Sequence, residues 1–321
     1  MLESPHPESV FRAPDGRVVE LKVHRCRWDD EYPENSLAAI LACYRARVRR
    51  AEIDLNLLAD ADFLVTHDLT LDEATTGTGR VDRITRREAE RLRFRWRGRV
   101  TDHRPPLLSE VVAAVRAEPY PTLLELDLKD LHPLPWPRVE ELARTVAPVR
   151  DRVIFGSCAD WNLRRLLHVD PTLPVGFNPM AYLDWSPDGP DEENEGLAPG
   201  AYGYFDRHPL ARQRYGPAAD YLRDRLGGIL RLVPGARELH VRLACFERML
   251  DDGFADVVSF CHARGLLVDV WTLDAGPPGW RERLARAVAA GVDVVTTNTP
   301  RALAAAGAAV PHAEARDGGL T

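Results

Sequence analysis

Short apolar runs alternate with amphipathic stretches along most of the chain. The apolar runs predict eight strands, at about 18–24, 50–55, 122–128, 152–157, 173–178, 237–243, 267–273 and 292–297. Helical periodicity falls between them, at about 35–48, 137–147, 160–168, 218–226, 251–264, 280–290 and 300–309. Strands that alternate with helices are typical of a parallel sheet made from βα units. Eight such units predict an α/β fold, a (β/α)8 TIM barrel.

Two connections are too long for ordinary βα loops. The first, a long insertion after strand 2 at about 56–106, contains a further predicted helix at 85–92. The second, a long loop after strand 5 at about 179–217, is rich in proline, glycine, acidic and aromatic residues. Both follow strand ends on the face where barrels carry active sites, so we expect lids or substrate walls. We expect 1–310 to form a single catalytic domain and 311–321 a flexible tail.

Acidic side chains mark the ends of two predicted strands. Glu52 and Asp54 alternate along strand 2, so both side chains point the same way, roughly 6 to 7 Å apart. Two carboxylates this close raise each other's pKa unless a cation lies between them. On strand 3, Asp127 adds a carboxylate and Lys129 adds a cation suited to an anion. The pattern predicts a site for a metal ion and a phosphate.

Two histidines lie near the same strand ends. His24, followed by Arg25, ends strand 1, and His67 follows strand 2. Either histidine alone is more often structural than catalytic. In a barrel, however, both would share one face with the carboxylates, and barrel enzymes draw catalytic residues from several strand ends in this way. A chance grouping of structural residues is therefore the weaker interpretation.

Several motifs recur in a characteristic order and spacing. They are His24-Arg25, 33–39 (PENSLAA), 51–55 (AEIDL), 67–72 (HDLTLD), 75–81 (TTGTGRV), 106–111 (PLLSEV), 127–129 (DLK), 270–272 (VWT) and 291–300 (GVDVVTTNTP). In order, spacing and residue types they resemble the glycerophosphodiester phosphodiesterase family. The resemblance is dense over about 18–130 and looser over 265–310.

The resemblance implies a metal-dependent phosphodiesterase that hydrolyses a glycerophosphodiester to an alcohol and glycerol phosphate. It implies that His24 and His67 are the general acid/base pair. It also implies that Glu52, Asp54 and Asp127 bind one divalent cation. A ligand set made only of oxygen suits Mg²⁺ or Ca²⁺ rather than zinc. Histidine supports the acid/base role because it titrates near neutrality and moves protons in both directions.

The resemblance also implies the substrate contacts. Arg25 and Lys129 would hold the phosphate, whose non-bridging oxygens need their charge neutralised. Trp271, at the end of strand 7, would pack against the organic part of the substrate, with a core tryptophan as the alternative. The expected partner is a small-molecule phosphodiester.

Two departures from the family pattern concern the site. The loop at 26–32 (CRWDDEY) is longer and bulkier than the glycine-containing loop that usually follows the His-Arg pair. The third metal ligand is usually glutamate, whereas this chain has Asp127, whose side chain is one methylene shorter. If Asp127 does not reach the metal, Glu125 would replace or assist it.

Two other functions remain open. The Asp127-Leu128-Lys129 form, with Asn298 near the end, is similar to the spider-toxin phospholipases D (sphingomyelinase D-like). Such a lyase would release a cyclic phosphate from lysolipids, and an apolar channel at the second long loop would favour it. The other function is a non-catalytic barrel that binds a phosphorylated ligand, which would need no pair of proton-transferring histidines.

The composition indicates which partners and which cellular location to expect. The 321 residues carry a net charge of −7 with no concentrated basic face, so we expect no nucleic-acid partner. No apolar run is long enough to predict a transmembrane segment. Five widely spread cysteines favour reduced thiols over disulfides or zinc: Cys26, Cys43, Cys158, Cys245 and Cys261. With no apolar secretory region at the start, we expect a cytoplasmic protein.

Overall fold

A computed structural model of the chain describes residues 4–190 and 196–309. Its centre is a closed barrel of eight parallel strands with helices around it, which confirms the predicted TIM-barrel fold. The barrel strands, numbered one to eight below, are Val18–Val23, Arg50–Leu57, Leu123–Leu128, Val153–Ser157, Val175–Phe177, Glu238–Arg242, Leu267–Trp271 and Val294–Thr297. The first strand pairs in parallel with both the second and the eighth, and this closes the sheet.

Four shorter strands lie outside the barrel. Val10–Arg12 pairs antiparallel with the first barrel strand, and Phe63–Val65 pairs antiparallel with the second. Arg95–Trp96 and Arg99–Val100 form a separate hairpin. Phe63–Val65 and the hairpin both belong to the long insertion, so this segment has secondary structure of its own.

The described ranges contain ten α-helices. They are Leu37–Arg45, Arg86–Ala89, Leu108–Ala117, Trp136–Val146, Asp160–Val169, Ala218–Ile229, Leu243–Asp251, Val257–His262, Trp280–Ala289 and Pro300–Gly307. Short 3-10 helices lie at Pro7–Ser9, His24–Cys26, Val81–Arg83, Ala147–Arg152, Pro179–Ala181, Pro209–Arg212 and Leu230–Leu232. The first α-helix begins where Ser36 Oγ accepts a hydrogen bond from the Ala39 N–H (3.2 Å), a common N-terminal cap.

The helix predicted at 251–264 is shorter in the structure and spans Val257–His262. The chain forms two helices over 243–262: Leu243–Asp251, which was not predicted, and Val257–His262. The first ends because Gly253 adopts a φ of 90°, and the Phe254 N–H donates to the Met249 carbonyl (2.9 Å) in a Schellman-type C-terminus. Helix Leu108–Ala117, directly after the insertion, was not predicted either.

The barrel places its polar side chains inside. Along the second strand, Ala51, Ile53 and Leu55 are fully buried against the outer helices, while Glu52 and Asp54 occupy the opposite, inward face. The register sets Glu52 beside Glu125 and Asp54 beside Asp127 on the third strand. Strand alternation thus gathers the predicted acids within the barrel.

The insertion packs around a small apolar cluster of its own. Its members are Leu58, Leu64, Leu71, Val81, Ala89, Leu92 and Leu107. Helix Arg86–Ala89 falls within the predicted range 85–92 and begins with a capping box between Thr85 and Glu88. The insertion is therefore a folded wall on the barrel rather than an irregular loop.

Three other predictions concern the chain as a whole. In residues 4–190 and 196–309, no helix is long and apolar enough to cross a membrane. The five cysteines are buried and form no disulfide, as predicted. The flexible tail predicted at 311–321 lies outside the described residues.

Candidate active site

Three acidic side chains meet at the carboxyl ends of the second and third barrel strands. Oxygen atoms of Glu52, Asp54 and Asp127, called the carboxylate triad below, all lie within 4.8 Å of one another. Glu52 and Asp54 are buried, whereas Asp127 is partly exposed. Within the described part of the chain, Glu52 Oε1 is buried without a hydrogen-bond partner. An orphaned acidic oxygen in a set of three carboxylates fits a divalent cation.

The pKa shifts of the triad also indicate a cation site. Burial raises the pKa of Glu52 well above its ordinary value, and the Asp54 carboxylate adds to the effect. Burial acts against ionisation of Asp54 too, but Lys129 and other nearby cations outweigh it and lower the pKa of Asp54. The chain alone therefore favours a charged Asp54 and a neutral Glu52. A divalent cation would allow both to be charged.

Two cations flank the triad. Lys129 Nζ lies 2.9 Å from Asp54 Oδ1 and 2.5 Å from Asp127 Oδ2. Arg25 Nε lies 3.5 Å from Asp54 Oδ2, and its Nη1 lies 2.7 Å from Glu34 Oε1. The structure thus brings the two predicted phosphate contacts to the predicted metal ligands. A phosphate beside the triad would meet two positive side chains.

A tight turn after the first barrel strand sets the position of Arg25. Arg25 and Cys26 adopt φ values of 50° and 57°, a left-handed backbone that costs a non-glycine residue about 1 to 2 kcal/mol. The turn aims the Arg25 N–H at Glu52 Oε2, which accepts the hydrogen bond at 2.7 Å. The backbone thus fixes one Glu52 oxygen and leaves the other for a cation.

His24 lies between the triad and the eighth strand. Its Nε2 is 4.0 Å from Glu52 Oε2, and its Nδ1 is 3.0 Å from Asn298 Oδ1. Asn298 Nδ2 donates to Asp274 Oδ2 (2.7 Å), so the amide oxygen of Asn298 accepts from His24 Nδ1. Burial, helped by the charge of Arg25, lowers the pKa of His24 to about 4. The imidazole is therefore neutral at pH 7, with Nε2 as its proton acceptor.

His67 lies on the insertion side of the triad and is more open. Its side chain is 39% exposed, and its Nδ1 is 2.8 Å from Asp68 Oδ1. Asn56 Nδ2 donates to the Thr66 carbonyl (2.7 Å) and holds the segment that carries His67. A cavity of about 250 Å³ is lined by both His67 and Arg25. The two predicted histidines therefore differ: the His24 side chain is 23% exposed and lies beside the triad, whereas His67 is more exposed and lines a cavity.

Sequence reasoning missed three polar residues that hold the site. Asn35 donates from Nδ2 to Asp54 Oδ2 (2.7 Å), and its Oδ1 accepts from the Asp54 N–H (3.2 Å). Asp68 and Asp274 are the others, through their contacts to His67 and Asn298. Asn35 and Asp68 lie inside recognised motifs, and this position was an available signal. Asp274 carries no such signal, because only the fold brings it to Asn298.

Glu125 does not join the triad. Its Oε1 lies 3.2 Å from His240 Nδ1, and its other oxygen pairs with Lys22. Lys22 Nζ also lies 2.7 Å from Asp269 Oδ2. Gly156 makes room for the Glu125 side chain, because a Cβ added at Gly156 would lie 2.4 Å from Glu125 Oε1. The predicted auxiliary ligand thus already has a cation of its own.

Trp271 ends the seventh strand, as predicted, and stacks with an arginine. The Arg242 guanidinium lies 4.9 Å from the centre of the Trp271 ring. Arg242 Nε in turn lies 3.0 Å from Asp184 Oδ2, in the segment predicted as the second long loop. In the described ranges Trp271 Nε1 is buried without a hydrogen-bond partner, although the ring is only partly buried. Trp271 is therefore no ordinary core residue.

The second long loop lines a different cavity. The described residues of 179–217 contribute nothing to the cavity that contains His67. They help to line a second cavity of about 420 Å³, together with the largely apolar residues Leu131, Cys158 and Trp161. The insertion, not this loop, forms the wall opposite His67. The predicted role of 179–217 as a lid or substrate wall stays a prediction.

Comparisons with known proteins agree with the sequence motifs. The model of the Glycerophosphoryl diester phosphodiesterase family matches residues 28–302. A glycerophosphodiester phosphodiesterase of Caldanaerobacter subterraneus is 28% identical over 150 residues, which cover 45% of this chain and 60% of that protein. Human glycerophosphodiester phosphodiesterase 1 is 34% identical over 85 residues, which cover 25% of this chain and 26% of that protein. These matches span less than two thirds of the curated relatives' own lengths.

Solved structures share the fold. A glycerophosphoryl diester phosphodiesterase of Parabacteroides distasonis has a TM-score of 0.62 at 18% identity, covering 99% of this chain and 96% of its own. An Oleispira antarctica phosphodiesterase, solved with the product sn-glycerol-3-phosphate, has a TM-score of 0.59 at 19% identity, covering 89% of this chain and 95% of its own. At these identities the likeness supports the barrel architecture and no more.

Proposed function

Because the chain belongs to the glycerophosphoryl diester phosphodiesterase family, we propose that it hydrolyses a glycerophosphodiester to an alcohol and glycerol phosphate. The observation that carries this proposal is the carboxylate triad, with its orphaned oxygen and two flanking cations. The name of the Caldanaerobacter relative and the product held by the Oleispira phosphodiesterase support it.

One divalent cation, Mg²⁺ or Ca²⁺, would be held by Glu52, Asp54 and Asp127. When bound, it supplies positive charge to the non-bridging oxygens of the phosphodiester. Arg25 and Lys129 bind the same phosphate and neutralise the charge that develops on it. The all-carboxylate donor set fits either ion, since both prefer oxygen ligands.

The two histidines divide the proton transfers. His24, held by Asn298, accepts a proton at Nε2 from the attacking hydroxyl. His67, whose Nδ1 proton is bonded to Asp68, donates its Nε2 proton to the oxygen of the leaving alcohol. His24 thus acts as the base, and His67, which lines the cavity, acts as the acid.

The attacking hydroxyl is the glycerol hydroxyl next to the phosphate. An internal nucleophile has a large effective concentration over water, so a five-membered cyclic phosphate forms first and water then opens it. A second candidate, a phospholipase D-like lyase that releases the cyclic phosphate from lysolipids, is favoured by the apolar cavity of about 420 Å³. Phosphorus NMR of a complete turnover separates them. We expect glycerol phosphate at the end, whereas stable cyclic phosphate would support the lyase.

Activity is tested by a turnover screen. Glycerophosphocholine, glycerophosphoethanolamine, glycerophosphoinositol and lysophospholipids would each be offered with Mg²⁺, Ca²⁺ and Mn²⁺. We expect turnover of at least one glycerophosphodiester. No turnover with any pair, combined with tight binding of glycerol phosphate, would favour the non-catalytic barrel.

Substituting each histidine tests its role. His24→Ala and His67→Ala should each lower kcat by about 10² to 10⁴-fold while metal affinity stays near normal. His262→Ala is a matched control, because His262 lies on an outer helix and pairs with Asp293 (2.8 Å). A variant of His24 or His67 that keeps wild-type kcat would show that this histidine is structural.

Two other predictions stay predictions. One is a single catalytic domain over 1–310. The other is a cytoplasmic location, which the cysteines support because they form no disulfide. Separating cytosol from the cell envelope in the source cells and locating the chain by immunoblot tests the second.

A further inference from the structure

The cavity beside His67 has two walls. One wall carries Arg25 and His67 of the proposed site. The other, called the insertion wall below, comes from a later part of the insertion and includes Phe94, Arg95 and Trp96. His24 is not among the lining residues, so the cavity opens on only one side of the phosphate position. A group that leaves the phosphate on the His67 side must enter this space.

The insertion wall is held in place by the bulky loop at 26–32. The Trp96 ring lies 5.6 Å from the guanidinium of Arg27 and 5.6 Å from that of Arg97. Both arginines bind Asp30, Arg27 at 2.9 Å and Arg97 at 3.3 Å. The loop that departs from the usual glycine-containing form is thus the part that holds the Trp96 hairpin.

Arg27, Asp30 and Arg97 form a clamp around Trp96. Glu34 connects this clamp to the phosphate contacts. Glu34 Oε1 lies 2.7 Å from Arg25 Nη1, and Glu34 Oε2 lies 4.0 Å from Arg27 Nη1. Tyr32, from the same loop, packs edge-on against His103 at the base of the insertion, with ring centres 5.7 Å apart. The wall and the phosphate contacts are therefore one connected unit.

The size and charges of the cavity limit its occupant. Its volume of about 250 Å³ is below the range of about 300 to 1,000 Å³ common for small-molecule sites, which leaves room for a compact group only. Glu73 and Arg95 line it. Neither forms an ion pair with another described residue. A compact polar alcohol fits this lining, whereas a long acyl chain does not.

We propose that Trp96 is a specificity-determining residue that limits the size of the leaving alcohol. This inference rests on the proposed function, because it places the leaving alcohol on the His67 side. The insertion would then select among alcohols, while the loop at 179–217 would not. The loop at 26–32 acts by keeping Trp96 in place.

Paired substrates test the inference. In the wild type, kcat/KM should be higher for glycerophosphoethanolamine than for glycerophosphoinositol, whose alcohol is bulkier. Trp96→Ala should shift that ratio toward glycerophosphoinositol by about tenfold, the scale at which pocket size discriminates substrates. Arg97→Ala, which removes an exposed half of the clamp, should shift it in the same direction by less. Trp136→Ala, an exposed tryptophan on an outer helix, is the matched control and should leave the ratio unchanged.

The outcomes separate the inference from the function it rests on. No wild-type turnover of either diester would overturn both. Wild-type turnover with a ratio that neither Trp96→Ala nor Arg97→Ala changes would overturn the inference alone. Because Arg97 is 61% exposed at its side chain, its variant tests the clamp even if Trp96→Ala fails to fold.

Discussion

The barrel holds two acidic clusters that differ in how they are neutralised. The carboxylate triad lies at the open end, and a lower cluster of Glu125, His240 and Asp269 lies deeper inside. Each brings three potential metal ligands within 4.8 Å of one another. The lower cluster is closed by Lys22, which pairs with both of its carboxylates. The triad keeps an orphaned oxygen, so only the triad still requires a cation.

The two lysines of the chain show the same difference between the clusters. Of 42 basic residues only two are lysines, Lys22 and Lys129, and each lies at one of the two clusters. Lysine carries a compact point charge, whereas the planar guanidinium of arginine needs more room. Lys22 is almost entirely buried, while Lys129 is about one fifth exposed beside the triad. Lys22 therefore neutralises both carboxylates of the lower cluster, whereas Lys129 pairs with Asp54 and Asp127 and leaves Glu52 Oε1 without a partner.

Removing the metal should have the largest effect. Exhaustive EDTA treatment should abolish activity. Without the cation, nothing in the triad offsets the charge of the phosphate, and Glu52 is not held in its charged form. Adding back Mg²⁺ or Ca²⁺ should restore it. Full turnover in a preparation with metal content far below one ion per chain would show that the triad does not need a metal ion.

Removing the buried lysine should have the next largest effect. Lys22→Met leaves Glu125 and Asp269 buried without their cation, which should lower the free energy of unfolding by about 3 to 5 kcal/mol. Lys129→Met should cost less, because water reaches the end of that side chain. Denaturant unfolding measures both variants. Equal loss in the two would mean that the clusters do not differ in this way.

Neutralising single carboxylates should distinguish the two clusters by metal affinity. Asp127→Asn should weaken binding of Mn²⁺ by tenfold or more, because it removes one of three charged ligands. Glu125→Gln should change it by only a few-fold, since its side chain pairs with Lys22. Isothermal titration measures both. The reverse order would make Glu125 the ligand.

The smallest effect concerns pH. Burial would lower the pKa of His240, but the carboxylates of Glu125 and Glu238 outweigh burial and raise it above 6.5. A raised folded-state pKa stabilises the fold below pH 6.5, and this stabilisation is lost as the pH rises through the higher value. The free energy of unfolding should therefore fall over that range, and less so in His240→Gln. An unchanged slope in His240→Gln would contradict this assignment.

The sequence predicted the triad because alternation along a strand is local. Glu52 and Asp54 are two residues apart, so one strand is enough to put them together. Lys22 follows the same alternation, but no local pattern shows whether a polar strand face points outward or into a closed barrel. The Trp96 clamp joins segments far apart in the chain, and Asp274 reaches Asn298 only through the pairing of the last strands. Such contacts arise from packing, which no single segment encodes.

Anomalous diffraction at the manganese edge, from crystals soaked in Mn²⁺, tests most directly whether the triad binds a metal ion and the lower cluster does not. We expect one strong peak among Glu52, Asp54 and Asp127, and none among Glu125, His240 and Asp269, where Lys22 supplies the charge. A peak at the lower cluster, or no peak at the triad in crystals of active protein, would contradict this expectation.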